Sequence, residues 1–77
     1  MEYEATLEIR EDPVRLVKSF GPELKDEDTD RSKVRVKKTK SGIIVQVTAA
    51  DSVALRAVLV NLTKLCTVYE QMKTIPR

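Results

Sequence analysis

Apolar and polar residues alternate from Tyr3 to Arg10. Tyr3, Ala5, Leu7 and Ile9 share one side; Glu4, Thr6, Glu8 and Arg10 share the other. A period of two is that of a strand with one face buried. Asp12-Pro13 follows, an N-cap plus a proline at the first helical position, and Val14, Leu16, Val17 and Phe20 then give a short helix. Gly21-Pro22 stops it. Residues 23–30, Glu-Leu-Lys-Asp-Glu-Asp-Thr-Asp, form an acidic connection with little reason to pack. Alternation returns from Arg31 to Lys40, with Lys33, Arg35 and Lys37 on one face and Val34 and Val36 on the other. Lys40-Ser41-Gly42 reads as a hairpin turn. Ile43 to Thr48 is the most apolar strand, with Val45 and Val47 facing one way and Ile44, Gln46 and Thr48 the other. From Ser52 to about Met72 the period changes to that of a helix, and the tail 73–77, which holds Ile75-Pro76-Arg77, is expected to fray.

The order β-α-β-β-α predicts a single small α+β domain over residues 1–77. Its expected core is a three-stranded antiparallel sheet with the third strand central and both helices on one face. The first helix returns the chain, so the first two strands run the same way and the third runs opposite. Charge agrees: the third strand carries none, while the outer two are charged as edge strands should be.

The strand-to-helix corner at Ala49-Ala50-Asp51-Ser52 is the best-defined local feature. The Asp51 carboxylate can accept from the first free N–H groups of the helix and suits the positive end of its dipole. Beyond it, Ala54, Leu55, Val58, Leu59, Leu62, Leu65, Cys66, Tyr69 and Met72 form a wide stripe expected to pack on the sheet. A second, shorter stripe, Val53, Ala57 and Val60, lies opposite. One small domain cannot easily cover both, so Val53, Ala57 and Val60 are expected to meet a partner helix, with Arg56 a charged contact at the rim.

Size sharpens that expectation. A chain of 77 residues buries a modest fraction of its surface and is marginal without a staple or a partner. Cys66 is alone and there is no His, so neither a disulfide within the chain nor a metal site is expected, and no cofactor. With no His, no Gly-rich phosphate loop and no nucleophile beside an evident base, the sequence gives catalysis no support. Charged residues are 34% of the chain and aromatics 4%, a balance that fits a soluble intracellular protein of thermophilic type. The first apolar positions alternate with charges, so no signal peptide or membrane span is expected and the cytoplasm is the default.

A net charge of +2 does not by itself argue for nucleic acid. Lys33, Arg35 and Lys37, with Lys40 nearby, are nevertheless spaced about 6.6 Å apart along a strand, close to the spacing of successive phosphates. No aromatic residue interleaves them, so base stacking is not indicated. An edge strand protected by lysines and balanced by the acidic loop explains the same residues.

The corner motif and the strands before it resemble the small dimerisation subunit of the KEOPS complex, which makes the threonylcarbamoyl modification of adenosine in transfer RNA. Arg31-Ser32 occupies the place of an Arg-Ser pair at the start of the family's second strand, and the run to Asp51 needs no gap. Asp51, Ser52, Ala54, Leu55 and Arg56 fit the family pattern, and Ala57 fits its small-residue position. The family usually has Asn three residues after that position; here Val60 stands there and Asn61 comes one residue later. The resemblance implies a non-catalytic subunit, either the standard one or a divergent paralogue. It would pair with itself or a paralogous small subunit and bind the catalytic threonylcarbamoyl-transferase subunit through helices, with transfer RNA a possible direct contact. The competing reading is an independent small RNA-binding module built on the basic second strand.

Overall fold

The structure is a computed structural model and describes residues 1–20 and 24–74. It is an α+β fold: β1 (Tyr3–Ile9), α1 (Pro13–Phe20), β2 (Glu27–Asp28), β3 (Ser32–Lys38), β4 (Ile43–Ala49) and α2 (Ser52–Thr74). The sheet is antiparallel with strand order β1-β4-β3-β2. The uncharged strand β4 lies between β1 and β3, as its composition requires. The fourth strand was not expected, and neither was any structure in the acidic connection.

Alternation fixes the faces. Ile9, Leu7 and Ala5 lie opposite Ile43, Val45 and Val47, which in turn lie opposite Lys38, Val36 and Val34. Leu16 from α1 and Leu62 and Tyr69 from α2 close over Val34, Ile43, Val45 and Val47, so both helices roof the same face. The other face, carrying Glu4, Thr6 and Glu8 on β1, Ile44, Gln46 and Thr48 on β4, and Lys33, Arg35 and Lys37 on β3, has no helix over it among the described residues.

Both helices start where the caps place them. Asp12 Oδ1 accepts from the Val14 N–H at 3.0 Å and the Asp12 carbonyl accepts from Leu16 at 3.0 Å. In α1 Leu16 is fully buried while Val14 faces solvent. Asp51 Oδ1 accepts from the Ala54 N–H at 2.8 Å and its carbonyl from Leu55 at 3.1 Å. Helix α2 runs on through Lys73 and Thr74, where fraying was expected to begin, and the predicted stop at Gly21-Pro22 and the tail 75–77 lie outside the described residues.

The hairpin between β3 and β4 turns at Lys40-Ser41, with the Thr39 N–H donating to the Gly42 carbonyl at 2.8 Å. Gly42 sits directly against the end of β1. A Cβ there would fall 1.9 Å from the Ile9 carbonyl oxygen, so the turn and β1 approach as closely as they do only because this residue has no side chain.

The acidic connection packs because its polar groups find partners on β3. Asp26 Oδ1 accepts from the Val36 backbone N–H at 2.8 Å. Asp28 takes the Arg35 guanidinium with both carboxylate oxygens, at 2.6 and 3.3 Å. The Thr29 hydroxyl accepts from the N–H groups of Arg31 and Ser32, closing the turn from β2 into β3. A connection expected to have little reason to pack instead lies along the outer side of β3.

One segment has the length and apolarity of a membrane span, a point the alternation of the first residues does not reach. By length and composition alone the 21-residue segment Ser52–Met72 qualifies. In the fold only part of that apolarity serves the sheet: Leu62 and Tyr69 are buried, and Leu55, Val58, Leu59 and Leu65 pack against the core.

Candidate partner-docking groove

Two helices do not cover four strands. Beneath the first half of α2, on the side of β3 and β2, an open groove of about 830 Å³ remains. Val53, Ala54, Ala57 and Val58 form its helical wall, Val34 and Val36 its floor, and Leu24 closes it from the acidic segment. The corner determines this placement. The Arg31 carbonyl accepts from the Ala50 N–H at 2.8 Å, and the Arg31 side chain pairs with the Asp51 carboxylate. The start of α2 is thereby fixed beside the start of β3, and Val53 and Ala57 face the groove.

The groove wall continues onto the exposed flank of the helix. At 100° per residue, Val53, Ala57, Val60 and Val68 lie within about 80° of one another, on the side of α2 away from Leu62. Val53 is 68% exposed, Val60 41% and Val68 51%. Met72, expected to pack on the sheet, is instead 50% exposed and extends the flank. It lies near the end of a helix longer than the sheet is wide. Four large apolar side chains along one helix flank, with Lys64 among them, lie beside a groove walled mainly by apolar residues, a surface suited to an interaction site.

Of the residues expected to meet a partner, Val53 and Ala57 line the groove. Arg56 and Val60 are exposed on α2 but do not line it. Sequence reasoning missed Leu24, Lys25, Asn61 and Lys64. The first two fall in the segment taken as unpacked, and the last two look like ordinary polar helix positions. The groove mouth carries Lys25 and Lys64 against Glu27, a rim with a small excess of positive charge.

The basic strand is less free than its sequence suggests. Lys33, Arg35 and Lys37 do share the open sheet face, where Lys33 and Arg35 border a shallow depression of about 330 Å³ with Glu4, Thr6, Gln46 and Thr48. Arg35, however, is held by Asp28 and also donates to the Val34 carbonyl at 2.9 Å. The Arg35 hydrogen bond, opposed next by desolvation and then aided by the charges of Arg35 and Lys33, holds the Asp28 carboxyl below its ordinary value. The same bond raises Arg35. Lys40 stands apart in the β3–β4 turn.

Cys66 is half-buried on α2. Burial, and then the nearby Glu70 carboxylate, push its thiol up, which suits packing rather than nucleophilic chemistry. Among the described residues no cluster of His, Cys, Asp or Glu is arranged to hold a metal ion.

Fold and site together define a small α+β protein whose antiparallel sheet is partly roofed by a long helix and flanked by an open apolar groove. Comparison of the chain with protein-family models, curated proteins and solved structures finds no match.

Proposed function

We propose that this chain is a non-catalytic assembly subunit of the KEOPS type, the standard small subunit or a divergent paralogue. In this reading it pairs with a second small subunit and binds the catalytic threonylcarbamoyl-transferase subunit by accepting one of that protein's helices. The observation that carries the reading is the groove between α2 and β3: about 830 Å³, apolar-walled, and continuous with the exposed Val53, Val60 and Val68. A helix laid into such a groove inserts side chains at i, i+3 or i+4, and i+7. The KEOPS assignment itself comes from the residue pattern at Arg31-Ser32 and Asp51–Ala57. The cytoplasm is the compartment this role requires.

The experiment is a binding titration of the full chain against the catalytic subunit from the same source, with the wild type and with Ala57→Asp. A carboxylate at residue 57 would be buried in the groove by an incoming apolar helix, so binding should weaken by roughly 100-fold. A variant that stays folded and binds as the wild type does would defeat the groove reading. The RNA-binding alternative draws only on Lys33, Lys37 and Lys40 once Arg35 is engaged by Asp28. Each phosphate contact should contribute about one unit to the salt slope of RNA binding.

A further inference from the structure

One wall of the groove is held differently from the rest of the fold. β4 is joined to β1 and to β3 along its whole length, over a buried core. The segment from Leu24 to Asp28 joins β3 only by the short ladder of β2, Glu27 against Val34 and Asp28 against Lys33. Continuing that register would set Lys25 opposite Val36, with the Lys25 carbonyl taking the Val36 N–H. The Asp26 carboxylate takes it instead, at 2.8 Å. A side chain stands where the next rung of the ladder would be, the backbone leaves the edge at Asp26, and Leu24 packs against the core from beyond that point. At the other end of β2 Asp28 grips the Arg35 guanidinium.

Little else holds the segment. Lys25, Asp26, Glu27 and Asp28 are exposed, and Leu24 is its one part-buried residue. The Asp28–Arg35 pair is itself open to solvent, 58% on the aspartate side and 47% on the arginine side. Few buried apolar contacts and solvated hydrogen bonds place a segment at the low-stability end of a fold. Leu24, Lys25 and Glu27 border the groove. The core fixes α2 and the β3 floor, so the position of this segment sets the groove's width.

We infer that Leu24–Asp28 is a hinged wall, latched to β3 by the carboxylates of Asp26 and Asp28, which opens as one unit while β1, β3 and β4 stay paired. The turn after it is the fixed end: the Thr29 N–H donates to the Ser32 carbonyl at 2.9 Å, and the Thr29 hydroxyl accepts from the Arg31 and Ser32 N–H groups. The use of such a wall, a groove that adjusts to the helix it takes, rests on the groove reading. The latch itself does not.

NMR-detected hydrogen exchange of the full chain tests it, with the wild type, Asp26→Ala and Asp28→Ala. Both changes are at exposed positions, and continued protection of the β4 amides shows that each variant is folded. In the wild type the outward N–H groups of Val34 and Val36 should share one opening constant, at least 100-fold above that of the Val45 and Val47 amides. Asp28→Ala should speed exchange at Val36, an N–H that Asp28 does not touch, by roughly three- to fivefold. Asp26→Ala should do the same at Val34. Exchange of Val34 and Val36 only with the β4 amides would overturn the inference, because the segment would then open only with the whole fold. Variants that each speed only the amide beside the change would overturn it too, because the segment would then not move as a unit. No occupant of the groove enters the measurement, so the latch can fail while the groove reading stands, and loss of binding in Ala57→Asp leaves the latch untouched.

Discussion

Asp51 joins three things at one carboxylate: the free Ala54 N–H in the first turn of α2, the positive end of the helix, and Arg31 at the start of β3. Replacing it by Ala removes all three, and replacing it by Asn keeps an oxygen able to cap. The cap is worth about 1 kcal/mol. The Arg31 pair is 64% exposed on the arginine side and 34% on the aspartate side, so solvent screening holds it to about 0.5 kcal/mol. Asp51→Ala should therefore cost about 1.5 kcal/mol and Asp51→Asn about 0.5 kcal/mol. For a domain of this size that is a fall in Tm of roughly 6–12 °C against 2–4 °C. Urea and thermal unfolding at one fixed protein concentration, to keep any association constant, give both numbers. Adding 1 M salt, about a 3 Å screening length, should shrink the asparagine cost and leave the difference between the two variants. If Asn proves as costly as Ala, or Ala costs less than about 0.3 kcal/mol, the corner is not held by the cap and the argument for how Val53 and Ala57 reach the groove fails.

Two further predictions concern the hairpin and the sealed edge. Gly42→Ala should lose about 3 kcal/mol, a fall of roughly 12–24 °C in Tm. The new Cβ would lie 1.9 Å from the Ile9 carbonyl oxygen, and both partners are backbone; a thermal scan matching the wild type would show that β1 does not approach the turn so closely. The Asp28 carboxyl should titrate below 3.8, and Arg35→Ala should move its NMR midpoint up, since the Arg35 hydrogen bond is the main cause of the shift. Because the folded state binds this proton more weakly than the unfolded chain, the stability Asp28 contributes is present above pH 4 and is lost as pH falls through its folded midpoint. Asp28→Asn should then lower Tm at pH 6 but not at the acid end, and a midpoint indifferent to Arg35→Ala would refute the pairing.

Strands β1, β3 and β4, both helices and both caps were legible because each rests on local chemistry: a period of two, a period of 3.6, an Asp before each helix. The central place of β4 followed from its lack of charge. β2 was not legible, since a two-residue strand has no period, and a run of carboxylates resembles a solvated loop until the partners seven to ten residues on, Arg35 and the Val36 N–H, are folded beside it. The groove was half legible. Val53 and Ala57 stood out as apolar residues on the far side of α2, but the opposite wall at Leu24 and Lys25 depends on how the acidic segment packs. Arg56 and Val60 were chosen by helical spacing alone, which cannot say where a sheet ends beneath a helix.

The acidic segment has a consequence for the growth of assemblies. A sheet with two exposed edges can add subunits indefinitely, and such addition yields fibres. Here the two-residue β2 pairs along Lys33 and Val34, and the Asp26 carboxylate takes the Val36 N–H, so little of the β3 edge is left for another strand to pair with. An acidic stretch that reads as a solvated connection thus guards the strand it leads into.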